Sequence, residues 1–262
     1  MMMEIFPEER KRYILSKLEN APKIRVTEIS KKFSVSTETV RRDLDVLESE
    51  GLVKRVYGGA VKVDFHKPEP PLQNRKRVRE QEKRSIAKKA SELIEDGSTI
   101  LLDIGTTVLE LAREIKNKED ITILTNSLLA ANILLERLEN NHFSGGVILL
   151  GGQLSPRQYS VSGKVTEMVL DRFNVDQAFI SVGGISLRNG LSDYDFDESM
   201  ISRQMIRVSK ETIVLADASK LETDTFCKFG SLKDVDKIVS DVPLPAPWKG
   251  NELFKDISWI TT

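Results

Sequence analysis

The sequence has very little of the chemistry that disulfide frameworks and metal centres require. Among its 262 residues there is a single cysteine, Cys227, which excludes an internal disulfide. The two histidines, His66 and His142, do not form a cluster with this cysteine at the spacing of metal ligands. We therefore expect no metal site and no cofactor.

Long apolar runs are absent as well. No stretch approaches the roughly 20 residues of a membrane-spanning helix, and the opening residues MMMEIFPEER lack the apolar segment of a signal peptide. We therefore expect a cytoplasmic protein with no membrane partner. The composition, 40% hydrophobic and 30% charged, is that of a soluble globular protein. The length permits one large domain, or a small domain joined to a larger one.

The chain also lacks a strong net charge, which is -1 at pH 7. This balance does not exclude nucleic-acid binding, because DNA responds to the local distribution of charge. Residues 1–63 contain 13 lysines and arginines and 10 aspartates and glutamates, a net charge of +3. The N-terminal quarter of the chain is therefore mildly basic.

The most informative stretch is STETVRRDLDVLESEGLVKRVYGGAVKV, residues 36–63. Its first part predicts a helix with Ser36 as the N-cap and Gly51 as the C-terminal stop. Three apolar residues recur at helical spacing and predict a buried stripe: Val40, Leu44 and Leu47. The opposite face carries arginines and short polar groups.

That exposed face suits the DNA major groove, where an arginine can bond bidentately to a guanine edge. From this helix we expect the following residues to contact DNA: Ser36, Thr37, Glu38, Arg41 and Arg42. The alternative is an ordinary solvated helix, because Glu38 and Arg42 are four residues apart, a spacing that stabilises any exposed helix. The flanking sequence favours DNA binding.

Upstream of this helix the pattern is that of a helix-turn-helix. Residues 10–18 predict a first helix with Tyr13, Ile14 and Leu18 facing inward, and Pro22 ends it. A short second helix follows with Thr27 as its cap and with two predicted buried residues, Ile29 and Phe33. Residues 34–36 then turn into the arginine helix.

Downstream, two β-rich runs at residues 52–57 and 60–63 predict a hairpin closed by Gly58-Gly59. Such a hairpin beside a helix-turn-helix is a wing. Its lysines and arginine are placed to meet phosphates beside the groove: Lys54, Arg55 and Lys62.

The run from Val35 to Val61, VSTETVRRDLDVLESEGLVKRVYGGAV, resembles the signature of the DeoR family of bacterial transcription repressors, and the resemblance continues through the rest of the chain. It implies a winged helix-turn-helix at residues 1–63 joined to a sensor domain for phosphorylated sugars.

Residues 64–81 predict a linker. Pro68, Pro70 and Pro71 interrupt regular structure, and a basic run follows at residues 75–79. This run is either a contact to the DNA backbone or the solvated start of a helix, and we favour the second.

Residues 82–262 alternate strand and helix patterns, which predicts an α/β domain, an open sheet with helices on both faces. The predicted strands lie at residues 98–103, 121–124, 147–150, 178–182 and 212–217. Several of them end in glycine or hydroxyl residues, and ligands bind at the carboxyl ends of strands in such sheets.

The strongest chemical signal among these ends is Asp103-Ile-Gly-Thr-Thr107. A glycine permits close approach of the backbone, and the free N–H groups at a helix N-terminus favour an anion such as phosphate. In the DeoR family the corresponding turns line the effector pocket, in a domain similar in fold to sugar-phosphate isomerases. The resemblance therefore implies these effector contacts: Asp103, Gly105, Thr106, Thr107, Asn126, Ser127, Gly183 and Gly184.

A second group follows in GLSDYDFDE, residues 190–198, and in Asp217-Ala-Ser-Lys220. The family has similar motifs, which adds Asp193, Glu198 and Lys220 to the predicted effector site; carboxylates suit sugar hydroxyls and a lysine suits phosphate. Asp195 and Asp197 are not part of the family motif, and we expect them to lie in a solvated loop. Arg203 and Arg207 either hold the carboxylates in place or form a dimer contact.

Two classes of function compete for this chain. In the first, a non-enzymatic repressor binds double-stranded operator DNA and is released by a phosphorylated sugar. In the second, the α/β domain is an active isomerase in which Asp103 or Glu198 moves a proton and Lys220 stabilises an enediolate. We favour the repressor, because an isomerase would not explain the winged helix. An α/β domain that only dimerises is a third possibility. Paired DNA half-sites require at least a homodimer.

Overall fold

The computed structural model describes residues 7–21, 23–49, 52–62 and 69–262, apart from the side chains of Glu19, Asn20, Ser49, Lys54 and Lys62. The chain divides into two compact units, Met1–Phe65 and His66–Thr262, called unit 1 and unit 2 below. Within the described ranges, no helix combines the length and the apolar character that crossing a membrane would require.

Unit 1 combines helices with a small antiparallel sheet. Its described elements are α1 Pro7–Asn20, β1 Ile24–Arg25, α2 Val26–Phe33, α3 Thr37–Ser49, β2 Val53–Val56 and β3 Gly59–Lys62. Strands β2 and β3 form a hairpin, and β1 pairs with the other side of β3. This order of elements is that of a winged helix-turn-helix.

The core of unit 1 consists of the apolar stripes that the sequence predicts. Six of these side chains are at most 3% exposed: Ile14, Leu18, Ile29, Val40, Leu44 and Leu47. Phe33, which we predicted to be buried, is only partly so and packs edge to face against Tyr13, with 5.0 Å between the ring centroids. One core contact is polar: Arg10 of α1 donates to the Asp43 carboxylate of α3 at 2.8 and 3.1 Å.

The start of α2 differs from the sequence prediction. The helix begins at Val26, so Thr27 lies within its first turn and does not cap it. The physical reason is β1, because Arg25 ends that strand in an extended conformation and the helix follows at once. Ser34 adopts a left-handed φ of 53° and forms the turn into α3, as predicted. Pro22 lies outside the described residues.

The wing hairpin is also offset by one residue. Val56 pairs with Gly59, so the two-residue turn is Tyr57-Gly58 and not Gly58-Gly59. Gly58 has the positive φ that the turn requires, at 75°. Gly59 is needed for a different reason: a Cβ there would lie 1.8 Å from the carbonyl oxygen of Ile24 in β1. The close approach of a third strand, which the hairpin pattern does not reveal, excludes a side chain.

Unit 2 is an α/β domain built on a parallel sheet. Its described elements are α4 Leu72–Arg75, α5 Glu80–Ser91, β4 Thr99–Leu102, α6 Thr106–Glu114, β5 Ile121–Thr125, α7 Leu128–Glu139, β6 Gly145–Leu149, β7 Gln153–Ser155, β8 Ser160–Ser162, α8 Lys164–Leu170, β9 Val175–Ser181, β10 Gly184–Ser186, β11 Gly190–Asp193, α9 Phe196–Val208, β12 Ser209–Leu215, β13 Cys227–Gly230, β14 Lys237–Ser240 and β15 Ser258–Thr261.

Seven strands form the main sheet in the order β15-β14-β12-β9-β4-β5-β6, and every neighbouring pair is parallel. All five predicted strands are present in it. The sequence analysis did not predict β14 and β15, which are short and follow short 3-10 segments rather than long helices. Two smaller antiparallel sheets, β10-β11-β13 and β7-β8, flank the main one.

The sheet is covered on both faces, as predicted. Along β4, Ile100 and Leu102 pack into one apolar cluster with α5, α6 and α7, whereas Leu101 packs into a second cluster with α8 and α9. Ile213, Val214 and the following residues of β12 alternate in the same way. Strands buried on both faces read as continuous apolar runs, which is why they were recognisable in the sequence.

The segment predicted as a linker is in part a structural element of unit 2. Residues 63–68 lie outside the described residues. Beyond them, Leu72 is fully buried in the core beside α5, and its amide donates to the carbonyl of Arg157 at 3.1 Å. Residues 69–81 therefore belong to unit 2, because one buried leucine in an otherwise polar, proline-rich stretch is enough to fix it.

Candidate DNA-binding surface and effector site

The outer face of α3 carries the residues that were predicted to read DNA. Ser36 caps the helix by accepting from the amide of Thr39 at 3.0 Å, as predicted. Thr37, Glu38, Arg41 and Arg42 follow on its exposed side. The same helix buries its apolar stripe against α1 and α2, so packing fixes which face is presented to solvent.

Opposite charges on this face pair at a short helical spacing, as the solvated-helix alternative also expects. Glu38 forms an ion pair with Arg41 at 3.3 Å, three residues on, and not with Arg42. Arg42 is exposed, and within the described ranges no acidic side chain forms an ion pair with it. An exposed arginine on a recognition helix retains all of its donors for a base edge.

Arg55 makes contacts within unit 1 that were not predicted. Its guanidinium donates to the carbonyl oxygen of Arg41 at 3.1 Å and to the carboxylate of Asp45, and its backbone amide donates to Glu48 at 2.5 Å. Arg55 therefore ties the wing to α3, and its predicted contact with phosphate stays a prediction. The side chains of Lys54 and Lys62 lie outside what the structure describes.

The tip of the wing presents an aromatic side chain that the sequence analysis did not single out. Tyr57 is fully exposed in the hairpin turn, and its carbonyl accepts from the Lys23 ammonium at 3.2 Å. Unit 1 thus offers two surfaces to a partner: the polar face of α3 and the end of the hairpin.

In unit 2, a small cavity lies at the carboxyl ends of β4, β9 and β12. Its volume is about 70 Å³, and it is lined by Arg75, Val78, Arg79, Lys83, Thr106, Thr107, Ser181, Val182, Leu215, Asp217, Ser219 and Lys220. The chain runs outward from β4 through β5 to β6, and outward from β9 through β12 to the other edge. The cavity therefore lies at the point where the strand order reverses, which is where ligands bind in open α/β sheets.

The N-terminus of α6 forms one wall of the cavity. Thr106 and Thr107, predicted as a turn, are the first residues of this helix, because the chain turns into it at Gly105. Gly105 has a φ of 121°, and a Cβ there would lie 2.5 Å from the hydroxyl oxygen of Ser181 in β9. The close strand contact requires glycine, and the free N–H groups of the first helical turn face the cavity wall.

Cationic side chains form the opposite wall, and only Lys220 among them was predicted. Arg75, Arg79 and Lys83 come from the segment and helix that precede β4. Lys83 is 5% exposed and donates to the carbonyls of Arg75 and Val78 at 2.8 and 2.6 Å, which holds the turn before α5. Burial lowers the pKa of Lys83, and Lys220 and Arg75 lower it further. Four cations and one carboxylate, Asp217, line this side of the cavity, so its net charge is positive and suits an anion.

The predicted acidic residues form a second cluster beside this cavity. Asp103, at the end of β4, accepts from the amide of Ile104 at 2.8 Å and from the hydroxyl of Ser202 at 2.8 Å. Burial raises the pKa of Asp103 to about 7, and these hydrogen bonds oppose the rise. At neutral pH its carboxyl group can therefore donate as well as accept a hydrogen bond.

Two further carboxyl groups are perturbed in the same direction. Burial raises the pKa of Asp193 to about 7, and the negative charge of Glu69 adds to the rise. Burial raises the pKa of Glu198 to about 8, with contributions from Asp195 and Asp193. Neighbouring buried carboxyl groups with raised pKa values are typical of ligand sites, although burial alone also produces such shifts.

Asn126 and Ser127 follow directly after the carboxyl end of β5. Both are fully buried; Ser127 caps α7 by accepting from the amide of Ala130 at 3.2 Å, and Asn126 donates to the carbonyl of Val161 at 3.3 Å. The Asn126 side-chain oxygen and the Thr225 hydroxyl are buried, and the described part of the structure contains no partner for either. A buried polar atom without a partner is a position that a ligand or a water molecule can satisfy.

The glycine pair predicted at the end of β9 lies beside the carboxylate cluster. Gly183 donates to the carbonyl of Ser192 at 2.9 Å and lies against Asp193 and the unpaired Thr225 hydroxyl. Gly184 begins β10. These residues shape the wall behind the carboxylates and do not themselves line the 70 Å³ cavity.

The remaining polar residues of the second motif have structural partners. Asp195 caps α9 by accepting from the amide of Glu198 at 3.0 Å, and Asp197 lies exposed in the first turn of that helix, not in a loop. Arg207 forms an ion pair with Asp171, so it does not hold the predicted carboxylates. Arg203 is exposed on the same helix.

Sequence reasoning missed three of the four cationic residues that line the cavity. Arg75 and Arg79 were visible as a basic run, but the prolines before them suggested a linker. Lys83 gave no local signal, because a lysine in an amphipathic helix is normally solvated. Asp217 was noted only as part of a motif; it accepts from the amide of Ser219 at 2.8 Å and forms an ion pair with Arg79 at 3.7 Å.

A winged helix-turn-helix and an α/β domain with a cavity lined by cationic side chains at its switch point together define a class: DNA-binding regulators that sense a small molecule. Comparison with known proteins identifies the family within this class. A DeoR-like helix-turn-helix domain matches residues 10–65, and a DeoR C terminal sensor domain matches residues 78–242. The chain belongs to the DeoR family.

Individual relatives agree with this. The chain is 36% identical to the uncharacterized HTH-type transcriptional regulator YulB of Bacillus subtilis, over 93% of both chains. It is 33% identical to the glycerol-3-phosphate regulon repressor of Escherichia coli, over 83% of this chain and 84% of that protein. It is 32% identical to the HTH-type transcriptional repressor GlcR of Bacillus subtilis, over 90% and 89%. The protein is accordingly a transcription regulator.

Among solved structures, ribose 5-phosphate isomerase A from Methanocaldococcus jannaschii matches 54% of each chain at 21% identity, with a TM-score of 0.39. This degree of likeness has no bearing on function.

Proposed function

We propose that this protein represses genes of sugar metabolism and leaves its operator when a phosphorylated sugar binds in unit 2. The observation that supports the proposal is the cavity at the switch point, where Thr106 and Thr107 at a helix N-terminus face Arg75, Arg79 and Lys220. A helix N-terminus opposite cationic side chains favours a phosphate dianion.

The carboxylate cluster supplies the other end of the ligand site. Asp103, Asp193 and Glu198 can accept from sugar hydroxyls, and when protonated they can also donate. The orphaned oxygen of Asn126 and the hydroxyl of Thr225 offer further positions. One end of the site is therefore cationic and the other is rich in carboxyl groups, as a phosphorylated sugar requires.

Operator binding is assigned to unit 1, with Arg41 and Arg42 of α3 at the bases and Lys54 of the wing at phosphates. A single winged helix contacts one half-site, so we infer a homodimer or higher oligomer acting on paired half-sites. Effector binding releases the operator only if the effector distinguishes the DNA-competent arrangement from the other, with a coupling of about 1–3 kcal/mol.

Calorimetry with a panel of sugar phosphates and their unphosphorylated counterparts tests the ligand class. We expect only the phosphorylated member of a matching pair to bind. Thr107→Ala removes one donor, and a hydrogen bond to a charged group contributes roughly 1.5–3 kcal/mol, so affinity should fall about 10- to 150-fold. Thr261→Ala, an exposed threonine on β15, is the matched control.

Equal affinity for both members of a pair, or a Thr107→Ala protein that binds the phosphate normally, would refute the anion site. Turnover is measured on every ligand that binds, and conversion of the ligand would contradict a pure sensor. The operator complex is then titrated with the ligand, and unchanged operator affinity at saturation would contradict release.

A further inference from the structure

Arg75 lines the anion cavity, yet its guanidinium is already occupied. It forms an ion pair with the carboxylate of Glu69 and donates to the side-chain oxygen of Gln158 at 2.7 Å and to the carbonyl of Pro70 at 3.1 Å. The side chains of Arg75 and Glu69 are only 17% and 10% exposed. The contact is therefore largely shielded from solvent and stronger than a surface ion pair.

Glu69 in turn lies in an unfavourable electrostatic environment. Its negative charge acts on Asp193 and Glu198 and contributes to the raised pKa of each. Apart from Arg75, Glu69 accepts from the side-chain amide of Gln158 at 2.5 Å, and its backbone carbonyl accepts from Arg157 at 2.9 Å. Arg75 is thus the partner whose charge compensates the carboxylate of Glu69.

We propose that Glu69 is a built-in competitor for the anion at the cavity. In the empty site the Glu69 carboxylate holds Arg75, and a phosphate bound between Arg75 and α6 takes the guanidinium from it. Glu69 then remains beside Asp193 and Glu198 without its counter-charge, so residues 69–71 detach from unit 2. Leu72 is fully buried and keeps the rest of the segment in place. This inference rests on the anion site of the proposed function.

The position of Glu69 in the chain gives this exchange a regulatory consequence. Residues 63–68 connect it in sequence to β3, the last strand of the wing, which ends at Lys62. Detachment of residues 69–71 moves the first anchored residue of unit 2 from Glu69 to Leu72. Ligand binding would thereby change where unit 2 begins to hold the chain that follows unit 1 in sequence, without moving the main sheet.

The direction in which Glu69→Gln changes the affinity for phosphate shows whether Glu69 competes with the anion or helps to bind it. Inorganic phosphate is titrated by calorimetry into the full-length wild-type chain, Glu69→Gln and the control Glu92→Gln, an exposed glutamate on the far end of α5 that pairs with Lys89. We expect Glu69→Gln to bind phosphate about 5-fold or more tightly than wild type, with the control unchanged. Weaker binding would show that Glu69 positions Arg75 for the anion, and equal binding would show no exchange; either result overturns the proposal.

Loss of a negative charge could by itself improve anion binding, so the same change is repeated in an Arg75→Gln background. If Glu69 acts by competing for Arg75, Glu69→Gln has no effect there, and a gain of the same size in both backgrounds overturns the proposal. Phosphate that binds neither wild type nor Glu69→Gln refutes the anion cavity itself, and with it this inference; binding with the wrong sign refutes the exchange alone.

Hydrogen exchange tests how far the detachment extends. Pro70 and Pro71 carry no amide, so a peptide of residues 69–72 reports mainly the Leu72 amide, which is bonded to the Arg157 carbonyl at 3.1 Å. We expect the Leu72 amide to stay protected at saturating phosphate, as do peptides of β4 and β9, because Leu72 remains anchored. Faster exchange of this peptide would overturn the role of Leu72 as the anchor.

Discussion

Removal of the Asp43 carboxylate should strongly destabilise unit 1 while unit 2 keeps its stability. Asp43 of α3 pairs with Arg10 of α1 through two hydrogen bonds, and the two side chains are only 8% and 7% exposed. In Asp43→Ala the guanidinium of Arg10 keeps its buried position without this carboxylate. Deleting one partner of a buried pair costs roughly 3–5 kcal/mol.

The size of unit 1 makes that loss decisive. At about 0.05–0.15 kcal/mol per residue, a unit that spans Met1–Phe65 has a free energy of unfolding of about 3–10 kcal/mol. The substitution therefore removes between a third and all of it. Operator binding should be lost because α3 is no longer held against α1, although Asp43 itself faces the core and not the DNA.

The distribution of tryptophan allows the two units to be followed separately. Both tryptophans of the chain, Trp248 and Trp259, lie in unit 2, whereas α1, α2 and α3 contribute to the far-ultraviolet circular dichroism. In urea, Asp43→Ala should show an early dichroism transition with no change in tryptophan fluorescence. Glu8→Gln is the control, since it breaks an exposed ion pair with Lys11 on the same helix and should cost at most about 1 kcal/mol.

A single transition at the wild-type urea concentration would refute this reasoning. So would an Asp43→Ala protein that keeps its dichroism but loses the operator, because the carboxylate would then act at the DNA.

Two further predictions concern readout and pH. Arg42→Ala should cost roughly 1–3 kcal/mol of operator binding and relax the preference at one base pair, whereas Arg55→Ala should weaken binding to all sequences alike, because it frees the wing from α3. Binding to a series of operator variants measures this, and uniform weakening by Arg42→Ala would show that Arg42 contacts phosphate. The pKa of Glu198 is about 8 in the folded protein against an ordinary 4.5, so the native state holds more protons in this window and the free energy of unfolding falls as pH rises from 4.5 to about 8. Glu198→Gln should therefore raise the melting temperature of unit 2 at about pH 8.5, by about 2–4 °C per kcal/mol recovered, and change it little at about pH 4. Thermal melts followed by tryptophan fluorescence measure this, with the exposed Glu139→Gln as the control. An equal effect at both pH values would contradict the prediction.

Local patterns in the sequence determined the elements and the ends of the strands. The stripe of Val40, Leu44 and Leu47 and the cap at Ser36 identified α3, because helix periodicity and capping involve residues within a few positions of one another. The buried strands of unit 2 were recognisable for the same reason. Their carboxyl ends indicated where a ligand would bind, since parallel strands bring these ends to one edge.

The tertiary structure alone decided which charges meet. Arg10 and Asp43 are 33 positions apart, and Arg75 and Gln158 are 83 apart. Side-chain pairs at such separations are set by the packing of whole elements, and no local pattern reports them. The raised pKa of Asp103 has the same origin, because it depends on how completely neighbouring elements exclude water. The proline-rich segment before α5 shows most clearly what local patterns cannot predict. Its composition is that of a linker, but the burial of Leu72 makes it part of unit 2.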